Sequence, residues 1–238
     1  KENLERLGFG SFANTDYFGP QTERTVKDFQ SYYGLEESGQ ADPATLEKIE
    51  ELLSSPLQSG KRHEETVMLK ENLYTLGYWD SPSGTTYYGS QTEKAVKKFQ
   101  QDQGLPQSGI ADERTRERLS ELAEQPLQNG MYREDAIRLK EDLERLGFGT
   151  YVKNDYFGPV TEKNVKYLQE YYGVSITGMA DEATLAKINE VLDSSLQYGK
   201  SSQDVIALKK NIKKLGYWPS NSIPTDYFGP DTEDAIVT

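Results

Sequence analysis

Tyr88-Gly89-Ser90-Gln91-Thr92-Glu93, continuing through Ala95-Val96 to Phe99-Gln100, is the stretch that decides the architecture, because the chain repeats it. Phe18-Gly19-Pro20-Gln21-Thr22-Glu23, Phe157-Gly158-Pro159-Val160-Thr161-Glu162 and Phe228-Gly229-Pro230-Asp231-Thr232-Glu233 are variants of it. A Leu-Gly-aromatic triplet stands upstream of each, at Leu7-Gly8-Phe9, Leu76-Gly77-Tyr78, Leu146-Gly147-Phe148 and Leu215-Gly216-Tyr217. The glycines of these triplets are 69, 70 and 69 residues apart. A fixed period of this size defines the folding unit before any single residue does.

Working outward through the second copy, Leu69, Leu73 and Leu76 fall four and three residues apart, which is one face of a helix. Gly77 follows as a helix stop. Tyr78-Trp79 then leads into a polar loop, Asp80 to Thr86, and the tryptophans of the even copies, Trp79 and Trp218, are expected to pack under it. A second helix starts near Ser90, where the other copies carry Pro20, Pro159 and Pro230, since proline suits a first helical turn. Glu93 complements the helix dipole there. Val96 and Phe99 mark its buried face, and Gly104-Leu105 ends it. Asp112, like Asp42 and Asp181, has the character of an N-cap for a third helix lined by Thr115, Leu119 and Leu122.

The expected fold is therefore all-α, a tandem array of small three-helix bundles joined by short ordered linkers. The repeats span residues 1–55, 61–123 and 131–193, with a partial fourth at 201–238 that lacks its third helix. Odd copies resemble one another most closely, as do even copies: Asn14-Thr15-Asp16-Tyr17-Phe18-Gly19-Pro20 matches Lys153-Asn154-Asp155-Tyr156-Phe157-Gly158-Pro159, pointing to a duplicated pair. The linkers keep a leucine, Leu57, Leu127 and Leu196, unlike a flexible Gly/Ser spacer. These leucines are expected to dock on neighbouring helices and stiffen the array. Phe18 and Tyr88 are expected in the core. Lys1-Glu2-Asn3-Leu4 repeats Lys70-Glu71-Asn72-Leu73, so the sequence opens inside a repeat and reads as a piece of a longer chain.

Composition narrows the chemistry. A net charge of −12 argues against nucleic acid, whose phosphates need clustered Lys and Arg, and against an anionic membrane surface. No apolar run is long enough to span a bilayer. There is no cysteine, hence no thiol nucleophile and no Cys-ligated zinc. His63 is the single histidine and is expected to be a solvated linker residue. No catalytic constellation repeats with the period; Glu23, Glu93 and Glu162 sit where a helix-start role suffices, as do Thr22, Thr92, Thr161 and Thr232. No catalytic residue, metal site or cofactor is assigned, and the chain is not expected to be an enzyme.

The combined pattern resembles the three-helix peptidoglycan-binding domain of bacterial cell-wall hydrolases. The second copy carries it most fully, in Leu76-Gly77-Tyr78, Tyr88-Gly89, Thr92, Ala95-Val96, Phe99-Gln100, Gly104-Leu105, Gly109 and Thr115. The resemblance implies a secreted, wall-associated bacterial chain that binds the glycan or stem peptide of peptidoglycan, with a catalytic domain on the same full-length chain. Where that family often has Asp-Gly before the turn aromatic, this chain has Thr15-Asp16, Thr85-Thr86, Asn154-Asp155 and Thr225-Asp226. A structural spacer or protein-interaction array that has lost glycan binding is the alternative.

Tyrosine, with 16 copies, is the functional lead, because it offers both an aromatic face and a hydrogen-bonding tip to a glycan or peptide. The candidate ligand-binding residues are Tyr17, Tyr87, Tyr156 and Tyr227 before the turn aromatic, Tyr32 and Tyr171 at the end of the second helix in the odd copies, and Asp16 and Asp155. The expected site is a shallow groove between the loop after the first helix and the start of the third. Several weak sites on one chain would add by avidity.

Overall fold

A computed structural model describes residues 1–13, 15–82, 84–219 and 221–237. Asn14, quoted above in the odd-copy comparison, and Thr238, the last residue of the fourth copy, lie outside the described residues. Helices follow the repeat. The first copy has α1 (Glu2–Arg6), α2 (Pro20–Tyr32) and α3 (Pro43–Ser54). The second has β1 (Lys61–Arg62), α4 (Glu65–Thr75), β2 (Tyr87–Tyr88), α5 (Ser90–Asp102) and α6 (Glu113–Ala123). The third has α7 (Asp135–Arg145), α8 (Pro159–Tyr172) and α9 (Glu182–Leu192), and the fourth α10 (Gln203–Lys214) and α11 (Pro230–Val237). Two compact units result: Lys1–Ala136 with Asn154–Pro159, and Ile137–Lys153 with the chain from Val160 onward.

Each full copy is a three-helix bundle. In the second, Leu69 and Leu73 of α4, Ala95, Val96 and Phe99 of α5 and Leu119 of α6 close on Tyr88, and Leu57 of the linker completes the cluster. In the first, Leu4, Leu7, Phe9, Val26, Phe29, Ile49 and Leu52 form the equivalent core, into which Ile110 of the second copy inserts. The two copies also share polar contacts. The Tyr33 hydroxyl donates to Asp112 Oδ2 at 2.8 Å, and the Arg114 guanidinium lies 4.5 Å from the centre of the Tyr32 ring. Gly8, at φ +83°, abuts the backbone of Pro106 and Gln107 so closely that a Cβ there would lie 2.5 Å from the Gln107 nitrogen.

Three polar devices recur and fix the irregular segments. Gln30, Gln100 and Gln169 are fully enclosed. Each accepts from the turn glycine through Oε1 (Gly39, Gly109, Gly178; 2.8–2.9 Å) and donates through Nε2 to the Thr hydroxyl of the third helix (Thr45, Thr115, Thr184; 2.8–3.1 Å). Asp42, Asp112 and Asp181 are indeed the N-caps, accepting from the backbone N–H of the same threonines at 2.8–2.9 Å. Such a cap satisfies a donor that the helix itself leaves open. The third device is a lysine. Lys70 in α4 is buried, and its Nζ donates to Thr85 O (3.1 Å), Thr85 Oγ1 (2.8 Å) and Tyr87 O (2.7 Å), pinning the polar loop onto the helix. Lys209 does the same with Thr225 Oγ1 and Tyr227 O, and Lys1 reaches Thr15.

The linkers hold an unexpected element. Lys61 and Arg62 pair antiparallel with Tyr88 and Tyr87, and single bridges join Tyr132 to Tyr156 and Ser201 to Tyr227. Each linker thus lies as a strand over the turn aromatic of the copy that follows it. Two corrections follow. Phe18 is not in the core but 50% exposed, and none of these pairings reaches it; Tyr88 and Phe157, which have such a strand beside them, are fully buried. Leu57 and Leu127 are buried as expected, whereas Leu196 is 40% exposed. Its linker has Ser195 where the others have Pro56 and Pro126.

Candidate functional site

The tyrosines before the turn aromatic share one geometry. Each ring lies against the glycine two residues later, at the N-terminal end of the second helix. A Cβ on Gly19, Gly89, Gly158 or Gly229 would fall 2.5–2.9 Å from Cε1 of Tyr17, Tyr87, Tyr156 or Tyr227. At Gly19 and Gly89 φ is negative, so close approach of the ring, not backbone conformation, is what calls for glycine. The other ring face varies. Tyr17 is 70% exposed. Tyr87 carries the Arg62 guanidinium 5.0 Å from its centroid. Tyr156 stacks on Tyr132 at 4.7 Å, and Tyr132 in turn lies 5.4 Å from Tyr74. Tyr227 is exposed.

The remaining candidates separate. Asp16 is exposed. Asp155 is half-buried and accepts from the Tyr74 hydroxyl, a bond that is the chief reason the Tyr74 phenol is pushed up to about 12. Tyr171, 76% exposed, packs edge-on against Tyr172. Tyr32 is drawn into the packing of the first copy on the second, between Phe9, Tyr33 and Arg114. Burial there raises its phenol to about 12. His63 is half-exposed, and its Nδ1 accepts from the Glu65 N–H at 3.3 Å at the start of α4.

Two depressions stand out in the first unit. One, about 660 Å³, runs between α3, the linker and α6, and several of its polar groups are engaged with one another: Tyr33 with Asp112, Arg116 with Glu65, Lys48 with Glu51. The other, about 450 Å³, belongs to the second copy alone. Tyr78 and Trp79 wall it, Asp80 and Thr85 come from the loop, and Gln91 and Lys94 from α5. This groove lies against the start of the second helix rather than the third, and Tyr87 is not part of its lining. Trp79 packs on the core beneath the loop, with the Lys70 ammonium 5.3 Å from its ring. Sequence reasoning placed Trp79 structurally and passed over Lys70, Gln91 and Lys94. The signal present was the aromatic pair beside a polar loop, and the recurrence of Lys1, Lys70, Lys140 and Lys209 with the period.

Among the described residues, no group of three or more His, Cys, Asp or Glu is placed to hold a metal ion, and no helix is long and apolar enough to cross a membrane. The model of the "Putative peptidoglycan binding domain" family matches residues 1–49, 62–119, 132–188 and 201–238. The chain belongs to this family. The chain is an array of repeats of this family, and the matches coincide with the helical copies described above. A curated relative, the N-acetylmuramoyl-L-alanine amidase CwlM of Mycobacterium tuberculosis, is 30% identical over 149 residues, covering 56% of this chain and 37% of the relative. No solved structure matches the chain.

Proposed function

We propose that this chain binds peptidoglycan at several places at once and thereby holds a larger secreted protein, a cell-wall hydrolase, at the bacterial wall. The observation that carries the proposal is the in-phase fourfold match to one peptidoglycan-binding family. The likeness of this chain to part of a protein named as an N-acetylmuramoyl-L-alanine amidase supports the link to a hydrolase. The copies at 1–55, 61–123, 131–193 and 201–238 act as separate weak contacts to glycan or stem peptide. Their avidity, rather than any single affinity, gives retention. Candidate contacts are the half-open tyrosines Tyr17, Tyr87, Tyr156, Tyr227 and Tyr171, the carboxylates Asp16 and Asp155, and the walls of the groove at Tyr78 and Trp79.

Mixing the purified chain with insoluble peptidoglycan and centrifuging it tests the proposal. The chain is expected in the pellet, and nearly as much of it at moderate as at low salt, because a chain of net charge −12 gains nothing from attraction to anionic wall polymers. Protein left wholly in the supernatant would select the second reading, a structural spacer. The use of Tyr32 and Tyr33 to pack the first copy on the second favours that alternative.

A further inference from the structure

Odd and even copies differ at one paired position. Where the second and fourth copies have Trp79 and Trp218, the first and third have Gly10 and Gly149. A second difference compensates the first. The residue facing this position from the second helix is Ala95 in the second copy, Thr25 in the first and Asn164 in the third, and the fourth copy has Ala235 at the same point of its sequence. A large ring over a small residue has been exchanged for a glycine under a larger one; the larger residue makes up only part of the ring's volume, and other side chains supply the rest.

The exchange changes the surface. In the second copy the indole packs on the cluster containing Ala95, and the groove stays open above them. In the first copy, Thr25 Oγ1 and Phe12 Cζ come within 3.1 and 3.2 Å of where a Cβ on Gly10 would stand. Phe12 folds back onto the core, and Gln21, the counterpart of the groove residue Gln91, donates to Ser11 O at 2.9 Å. In the third copy the Asn164 side chain covers Gly149, and the Tyr151 hydroxyl donates to Phe148 O at 2.6 Å. Both odd copies therefore fill with their own side chains the space that the second copy leaves to solvent. The fourth copy has the even floor: Trp218 lies under the Lys209 ammonium at 5.2 Å, as Trp79 lies under Lys70.

We infer that ligand binding is confined to the even copies, each taking one disaccharide–stem-peptide unit over its tryptophan, while the odd copies serve as packing partners. The inference rests on the peptidoglycan proposal above and narrows it from four sites to two. The groove's volume falls in the range of small-ligand sites, about 300–1,000 Å³. Its aromatic walls suit sugar and peptide faces, while Lys94 and Asp80 suit the free carboxylate and amine that a stem peptide carries. The fourth copy has Asp231 and Asp234 in place of Gln91 and Lys94, so the two sites share a floor and differ in rim charge.

The chain's two tryptophans are Trp79 and Trp218, so intrinsic emission reports on the even copies alone. Titration of the full chain with a purified soluble disaccharide–tetrapeptide is expected to change that emission, and calorimetry to count two sites. Importing the odd residue, as Ala95→Asn with Ala235→Asn, is expected to remove the emission change and lower retention on insoluble peptidoglycan about tenfold or more. Unaltered helical circular dichroism confirms that the filled variant folds. Should it not fold, Gln91→Ala with Lys94→Glu alters only exposed groove residues and is expected to lower the response at Trp79 in a Trp218→Phe chain. Four sites by calorimetry, or a folded filled variant (or the rim variant) that binds as the parent does, overturns the inference and leaves the peptidoglycan proposal standing. Failure of the parent chain to pellet overturns both.

Discussion

Replacing Gln100 with leucine should destabilise the second copy by about 2–4 kcal/mol, and the size of that loss follows from where its hydrogen bonds go. The amide accepts from the Gly109 N–H at 2.9 Å and donates to Ile110 O at 2.9 Å, Thr115 Oγ1 at 3.1 Å and Ser108 Oγ at 3.3 Å. Two of these partners keep other bonds: Thr115 Oγ1 still donates to Asp112, and Ser108 Oγ still accepts from the Ile110 N–H. The Gly109 N–H and the Ile110 carbonyl lose their good partner. A buried polar group left so costs about 1–3 kcal/mol, and the apolar gain of leucine returns roughly 1 kcal/mol of the sum. The assay is urea unfolding followed by Trp79 emission in a Trp218→Phe background, where the signal belongs to the second copy. A loss below about 1 kcal/mol would show that the amide is not what holds the turn between α5 and α6.

Four further outcomes follow from the same contacts. Leu57→Ala should cost about 2–4 kcal/mol, because Leu57 is part of the second core, whereas Leu196→Ala, at a half-open site, should cost under about 1 kcal/mol; paired denaturation curves check the contrast. Lys70→Met strips the Thr85 and Tyr87 carbonyls of their shared donor, and should destabilise by about 1–3 kcal/mol with a red shift of Trp79 emission. Gly109→Ala combines a left-handed φ of +72° with a Cβ 2.7 Å from Glu93 Cγ and 2.8 Å from Lys97 Cε, and should lower stability by at least about 1 kcal/mol; a melting curve matching the parent's would contradict it. Acid should unfold the chain through its helix starts. The Thr45 N–H holds the Asp42 carboxyl below its ordinary 3.8, and bonds from Lys27 and Lys97 hold Glu23 and Glu93 below 4.5. A depressed carboxylate contributes stability above its unfolded value and loses it as pH falls through the folded one. The melting temperature should therefore be flat above about pH 5 and fall below about pH 4, less steeply in Asp42→Asn.

Much of the helical frame was legible because it is written in local signals. Proline at position 20, aspartate at 42, 112 and 181, and leucines at spacings of three and four each act within a turn or two of chain. What escaped was non-local or defied a residue's usual place. Lysine is ordinarily an exposed residue, so Lys70 gave no hint that its ammonium would be enclosed and aimed at loop carbonyls. The linker strands are two residues long, too short to show any alternation, and without them nothing predicted that Phe18 would lie open while Tyr88 is covered. The candidate tyrosines were chosen for recurrence, and structure shows that recurrence at Tyr17, Tyr87, Tyr156 and Tyr227 has a packing cause in the glycine beneath each ring. The groove's lining leaves Tyr87 out and includes Trp79 and Ala95, which have counterparts only in alternate copies. A search for what every copy shares passes over such residues.

The strand that each linker lays over the next turn aromatic also sets where this chain can be cut. A fragment trimmed neatly to its helices, starting at Glu65, would discard Lys61 and Arg62 and leave Tyr88 bare on one side, as Phe18 is. A transplantable cassette for the second copy must instead begin ahead of Leu57, and whatever duplication built the array had to carry that leading segment with it.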